Sequence, residues 1–218
     1  MKKTISFLSV ILFILPVITL LVCHQLHAAH TGFHTIPFID GKVSVSLIGR
    51  QEYTIGIFKP SFILYILLSI TFYKKISDFF FQNNIKNKFK LSGILANTFL
   101  FIYILALGKD GYSYEISRRL GIILFIGNMY INHINLIKLL KIARNKSVIN
   151  FNNIYLIIFY SILAIMTILV IIGLPWVNPL FKYPDQLKNI IEWNFFLLTI
   201  FFYIPLSVMF YQLSPRIK

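Results

Sequence analysis

Acidic residues are scarce in this chain: seven Asp and Glu stand against 21 Lys and Arg in 218 residues, and charges of either sign make up only 13%. A soluble domain carries roughly a quarter of its residues as charges, so this shortage, beside 57% hydrophobic residues, removes the soluble globular class. Cysteine is nearly absent as well. Cys23 stands alone, which rules out an intrachain disulfide and leaves the redox compartment open. The chain has no G-x-S-x-G, H-E-x-x-H, P-loop or dinucleotide fingerprint, so no catalytic residue is marked, enzymatic activity stays open, and no cofactor is called for. Internal repeats of the kind that build inverted transporter halves are missing, and so are the charged rings or filter sequences of a channel. The four glycines at 108, 111, 121 and 127 form no G-x-x-x-G pair.

What the chain does have is apolar length. Runs at about 5–23, 57–73, 91–107, 120–137, 154–174 and 190–211 each approach the roughly 20 residues that cross a bilayer as a helix. The expected fold class is all-α: one polytopic six-helix transmembrane bundle over 1–218, with an extended non-cytoplasmic first loop over 24–56. The first run follows Met1-Lys2-Lys3 and is read as a retained span. A cleaved signal peptide is the competing reading, but its apolar region should be shorter, and His27 occupies the small-residue position before Ala29. Pro16 predicts a kink in that span, Pro60 suits the first turn of the second, and Pro175 and Pro179 close the fifth. Gly108 to Arg119 reads as a short polar turn.

Six spans put both termini on one side, and the basic residues can then be sorted by loop. Thirteen fall on the side of Met1, among them Lys74, Lys75, Lys86, Lys88, Lys90, Arg216 and Lys218, and eight on the other. This bias predicts cytoplasmic termini. Asp40, Glu52, Asp110, Glu115 and Asp185 all fall on the opposite face. The formal charge of +14 is therefore mostly topology, with attraction to anionic headgroups secondary. No basic face interleaved with aromatics lies outside the membrane, which argues against nucleic acid as a partner. Membrane lipids are the expected partners, with self-association or another membrane protein also open.

Polar residues at membrane depth supply the candidate sites. Glu192 lies near the start of the sixth span beside Trp193, and an ionised carboxylate facing lipid there would cost a few kcal/mol. It must face the bundle interior, a cavity or a partner, so it either pairs with Arg118 or Arg119 from the same side or binds a proton or headgroup. His24, His27, His30 and His34 are spaced three, three and four apart, and a helix continuing past Cys23 would gather them. Metal ligation by these four is a weak candidate, since Gly32 interrupts the run and no cysteine or fixed carboxylate completes a set. His34 and Asp40 match no nucleophile pattern and read as a solvated loop pair. Asn128, Asn132 and Asn135 share a helical face with His133 alongside, and interhelical hydrogen bonding explains them.

Several stretches together resemble the Frag/DRAM/Sfk family of six-span membrane proteins, nearest to its post-GPI-attachment lipid-remodelling branch. Lys42-Val43-Ser44-Val45-Ser46-Leu47-Ile48-Gly49, with Pro37 and Phe38 upstream and Phe58 nine residues after Gly49, is similar to that family's first lumenal loop. Tyr183-Pro184-Asp185 through Glu192-Trp193 resembles its final loop and the start of its last span, and Ser113-Tyr114-Glu115 through Met129-Tyr130 its fourth span. Two departures stand out. Glu52 and Tyr53 occupy positions where other branches carry a proline pair, and Ser117 and Arg118 replace a common His, so a role resting on that His does not transfer. The resemblance implies lipid handling, as in GPI-anchor lipid remodelling or phospholipid distribution. It implies an address in the plasma or inner membrane for a bacterial source and in the secretory pathway for a eukaryotic one. Glu192, Trp193, Arg118, Arg119, Ser46, Gly49 and Asp40 are then the candidates for a lipid or headgroup site. A noncatalytic adaptor in trafficking or autophagy is the alternative, and a small-solute permease a further one.

Overall fold

The computed structural model describes residues 1–32, 34–174, 177 and 180–213, and among them all regular structure is helical. The elements are α1 (Lys2–Thr31), α2 (Pro37–Asp40), α3 (Val45–Gly49), α4 (Glu52–Gln82), α5 (Phe89–Ala106), α6 (Tyr112–Asn145), α7 (Asn153–Ile172), α8 (Pro184–Phe201) and α9 (Tyr203–Gln212). Six helical stretches are long and apolar enough to cross a membrane, α8 and α9 together making the last. Pro175, Pro179, Arg216 and Lys218 lie outside the described residues.

Several helices outrun their apolar segments. At 1.5 Å per residue the 30 residues of α1 reach about 45 Å, well beyond a hydrocarbon core of about 30 Å. The expected start of the first loop is therefore helix, and His24, His27 and His30 ride on α1. The break comes at Gly32, whose φ of 67° forms a left-handed cap with its amide bonded to the Ala28 carbonyl. α4 begins at Glu52, so Pro60 lies inside it rather than in its first turn, and the helix carries Lys74, Lys75 and Asp78 past the apolar run. Likewise Tyr112–Arg119, expected as part of a turn, is the opening of the 34-residue α6. The last span is not continuous. It breaks at Phe202, where Pro205 offers no amide to the carbonyl of Phe201 one turn earlier.

Packing is uneven. α1, α4, α5 and α6 follow one another in close contact, and α9 docks on α1, where the Ser6 hydroxyl donates to the Ser207 carbonyl at 2.9 Å. Asn97 on α5 donates to the Ser69 hydroxyl on α4 at 3.0 Å, and Asn132 on α6 to the Ser92 carbonyl on α5 at 3.3 Å. These are the interhelical ties expected where apolar burial alone gives no preference between helix and lipid. Aromatic rings fill the centre. Phe58 stacks on Phe62 along α4, Tyr65 lies tilted against Phe62, and Phe72 meets Tyr203 edge-on at 5.3 Å. By contrast α7 touches α6, α8 and α9 only lightly, and only 22% of its apolar window is buried against 67% for the last span. α7 is the least buried of the six spans.

Candidate functional site

The segment between α1 and α4 is strapped onto α8 by side chains of α8 itself. Trp193 Nε1 donates to the Val43 carbonyl at 2.8 Å, Asn189 Nδ2 to the Gly41 carbonyl at 2.7 Å and Asn194 Nδ2 to the Phe38 carbonyl at 2.9 Å. Residues 189 and 193 are one turn apart on α8, so one helical face holds the carbonyls of Gly41 and Val43 in the link between α2 and α3. Gly41 permits the approach: its φ is 60°, and a Cβ there would collide with the backbone carbonyl of Gln186. Asp40 closes the turn locally, accepting the amides of Ile36 at 2.9 Å and Lys42 at 3.1 Å. It is a structural cap of this loop. Ser44 caps α3 by accepting the Leu47 amide at 3.0 Å.

Glu192 takes part in this strap and also faces a cavity. Its Oε1 accepts the Ser46 amide at 3.3 Å, a long bond, and among the described residues no cation pairs with it. The expected ion pairs to Arg118 and Arg119 are not formed. Arg118 instead donates to the carbonyls of Lys109 at 2.6 Å and Ala106 at 3.3 Å, holding the α5–α6 link, while Arg119 pairs with Glu115 one turn earlier on α6. All four residues nevertheless line one cavity of about 610 Å³ between α3, α5, α6, α7 and α8.

That cavity is two-sided in chemistry. Its charged end holds Ser46, Arg50, Glu115, Arg118, Arg119, Lys188 and Glu192, and its walls are Ile122, Ile123 and Ile126 of α6, Leu169 and Val170 of α7, and Ile191 and Phe195 of α8. Two residues that the sequence reading passed over sit here. Arg50, just after α3, is exposed and lines the cavity mouth with no hydrogen bond or ion pair of its guanidinium among the described residues. Tyr103 on α5 is 3% exposed and its hydroxyl has no hydrogen-bond partner, although the Glu192 carboxylate, Arg118 and Arg50 all act on it electrostatically. A buried hydroxyl without a partner is rare and costs roughly 1–3 kcal/mol unless something else satisfies it. The sequence signal for Tyr103 was a hydroxyl inside an apolar run, and for Arg50 only its place after Gly49.

The other candidates fall elsewhere. Trp193, 2% exposed, turns away from this cavity toward Phe38 and His24, with ring centroids 5.2 and 6.3 Å away. It borders a second, apolar cavity of about 220 Å³ lined by Val17, Leu21, Pro37, Phe196 and Ile200 among others. Gly49 is buried under α4, where a Cβ would lie 2.9 Å from the Phe58 ring, so its role is packing. The histidines take protein partners: His24 Nε2 bonds the Thr35 hydroxyl at 3.1 Å, His27 Nδ1 bonds the Tyr53 hydroxyl at 2.8 Å, His30 stacks on the same Tyr53 at 4.1 Å, and His34 is exposed beyond Gly32. Among the described residues no three His, Cys, Asp or Glu come together as a metal set.

Six apolar spans, four of which line an amphipathic cavity, define a polytopic integral membrane protein. No family model, curated protein or solved structure matches the chain.

Proposed function

We propose that this membrane protein handles lipid, seating one lipid molecule in the cavity between α6, α7 and α8 with its headgroup at the level of Glu192 and Arg50. The observation that carries the reading is the cavity's division into a charged end and an apolar stem beside the most lipid-exposed helix. A lipid is the ligand in a bilayer that needs both, and the volume lies within the roughly 300–1,000 Å³ of small-molecule sites. Because α7 is held lightly, an acyl chain enters sideways from the bilayer without crossing the packed α1–α4–α5–α6 core. The likeness to the lipid-remodelling branch of the Frag/DRAM/Sfk family points the same way and suggests anchor remodelling or phospholipid distribution. With both termini cytoplasmic, as the 13 to 8 division of basic residues favours, the headgroup lies in the leaflet away from the cytoplasm.

Ile126→Trp fills the stem from a half-buried position on α6. Native mass spectrometry of the full chain extracted with its lipids is expected to show retained lipid falling about tenfold in this variant, the loss of a chain-burying contact of about 1.4 kcal/mol. Unchanged lipid retention, together with an unaltered lipid profile in cells lacking the gene, would reject the proposal.

A further inference from the structure

Resting on the lipid seat just proposed, we infer that the cavity selects its headgroup and takes a zwitterionic lipid bearing a primary ammonium, the ammonium against Glu192 and Tyr103 and the phosphate against Arg50. Three polar groups of this chain line the cavity there. Glu192 is met by the Ser46 amide at 3.3 Å and by the Val45 amide, and has no paired cation among the described residues. Tyr103 lines the same cavity, with its hydroxyl buried behind the wall and without a partner. Arg50 presents a guanidinium, while its neighbours are committed: Arg118 to two backbone carbonyls, Arg119 to Glu115 and Lys188 to Asp185 at 3.0 Å.

A carboxylate at membrane depth is stable when a cation meets it, and a free guanidinium when an anion does. An anionic lipid with a neutral headgroup would satisfy Arg50 and leave Glu192 unpaired. A quaternary ammonium would answer the charge of Glu192 but has no N–H to donate. It is ordinarily held by a cage of aromatic faces, whereas Tyr103 and Phe195 are the only aromatic residues lining this cavity among the described residues. A primary ammonium has three donors, enough for a Glu192 oxygen and the Tyr103 oxygen together, and the Tyr103 O–H is left to donate to a phosphate or ester oxygen of the same lipid. One headgroup thereby meets all three groups.

The test uses the full chain in nanodiscs with matched acyl chains and competes phosphatidylethanolamine, phosphatidylcholine and phosphatidylglycerol for retention, read by native mass spectrometry. Wild type is expected to retain the ethanolamine lipid about tenfold over each of the others, the scale of one charge-assisted bond. Glu192→Gln keeps an acceptor for the Ser46 amide and is expected to abolish the preference over the choline lipid while still retaining lipid. Tyr103→Phe removes only a hydroxyl and is expected to reduce that preference severalfold, which keeps the test alive if the Glu192 variant does not fold. Equal retention of the three lipids by wild type, with Ile126→Trp still emptying the seat, overturns headgroup selection and leaves the seat standing. If Ile126→Trp also has no effect, the seat falls and the selection with it.

Discussion

At the scale of single residues, two glycines separate conformational strain from lost contact. Gly32 and Gly41 both have positive φ, 67° and 60°, but a Cβ at Gly32 meets open space whereas one at Gly41 runs into the Gln186 backbone. Gly32→Ala is therefore expected to cost only the left-handed penalty of about 1 kcal/mol, a fall in Tm of about 3 °C for a chain of this size. Gly41→Ala must also push the strap away from α8, loosening the bonds from Asn189 and Trp193, and a fall of more than about 10 °C is expected. Thermal unfolding of the detergent-solubilised chain followed by tryptophan emission reads both. Equal shifts would mean that the strap is not held to α8 by this turn. The same reasoning divides two residues that the sequence grouped together. Gly49 packs against the Phe58 ring, whereas Glu192 faces the cavity.

At the scale of elements, the seam between α6 and α7 is the part of the bundle that must be mobile for a lipid to pass. Its polar ties are few: Tyr130 and Thr167 hydroxyls at 2.6 Å, Lys141 to the Tyr160 hydroxyl at 3.4 Å, and Arg144 to Asn153 near the far end. The first of these lies nearest the cavity. Tyr130→Phe is expected to cost about 1 kcal/mol and to broaden by several ångströms the distance distribution between spin labels at Ile123 and Val170, on opposite cavity walls. An unchanged distribution would show that packing alone holds α7. The helices that sequence reading located best were α5 and α7, expected at 91–107 and 154–174 and found at Phe89–Ala106 and Asn153–Ile172. Polar residues precede both, and a glycine follows each closely, Gly108 after α5 and Gly173 with Pro175 after α7, so apolar run and helix end together. α1, α4 and α6 were underestimated because helix geometry does not stop where apolar composition does. Lys138, Lys141 and Arg144 are good helix formers whose long stems run along the bundle surface toward water. The site was legible in part for a similar reason. A carboxylate in an apolar run announces itself, but Arg50 and Tyr103 become visible only when α3, α5 and α8 are brought together.

At the scale of the whole molecule, every role assigned to the cavity needs the strap, the α5–α6 link and the start of α8 to lie on one side of the membrane. An even number of spans requires this, and the chain offers a clean measurement of it. Cys23, the sole cysteine, is buried with 0% exposure, so introduced cysteines can be read with little background. Ile39 on α2 and Leu180 before α8 are exposed at 71% and 81% near one end of the bundle, and Phe81 at the close of α4 is exposed at 72% near the other. A membrane-impermeant maleimide added to intact cells is expected to label Ile39→Cys and Leu180→Cys, and to label Phe81→Cys only after permeabilisation. The physical ground is the excess of Lys and Arg around 74–90 and 138–146, which resists translocation far more than the sparser basics of the opposite loops. The reverse pattern would invert the orientation but leave the cavity intact, with its headgroup end in the cytoplasmic leaflet. Labelling of Ile39→Cys and Leu180→Cys from opposite sides would instead separate Ser46 from Glu192 by a bilayer, and neither the strap nor the lipid seat could exist.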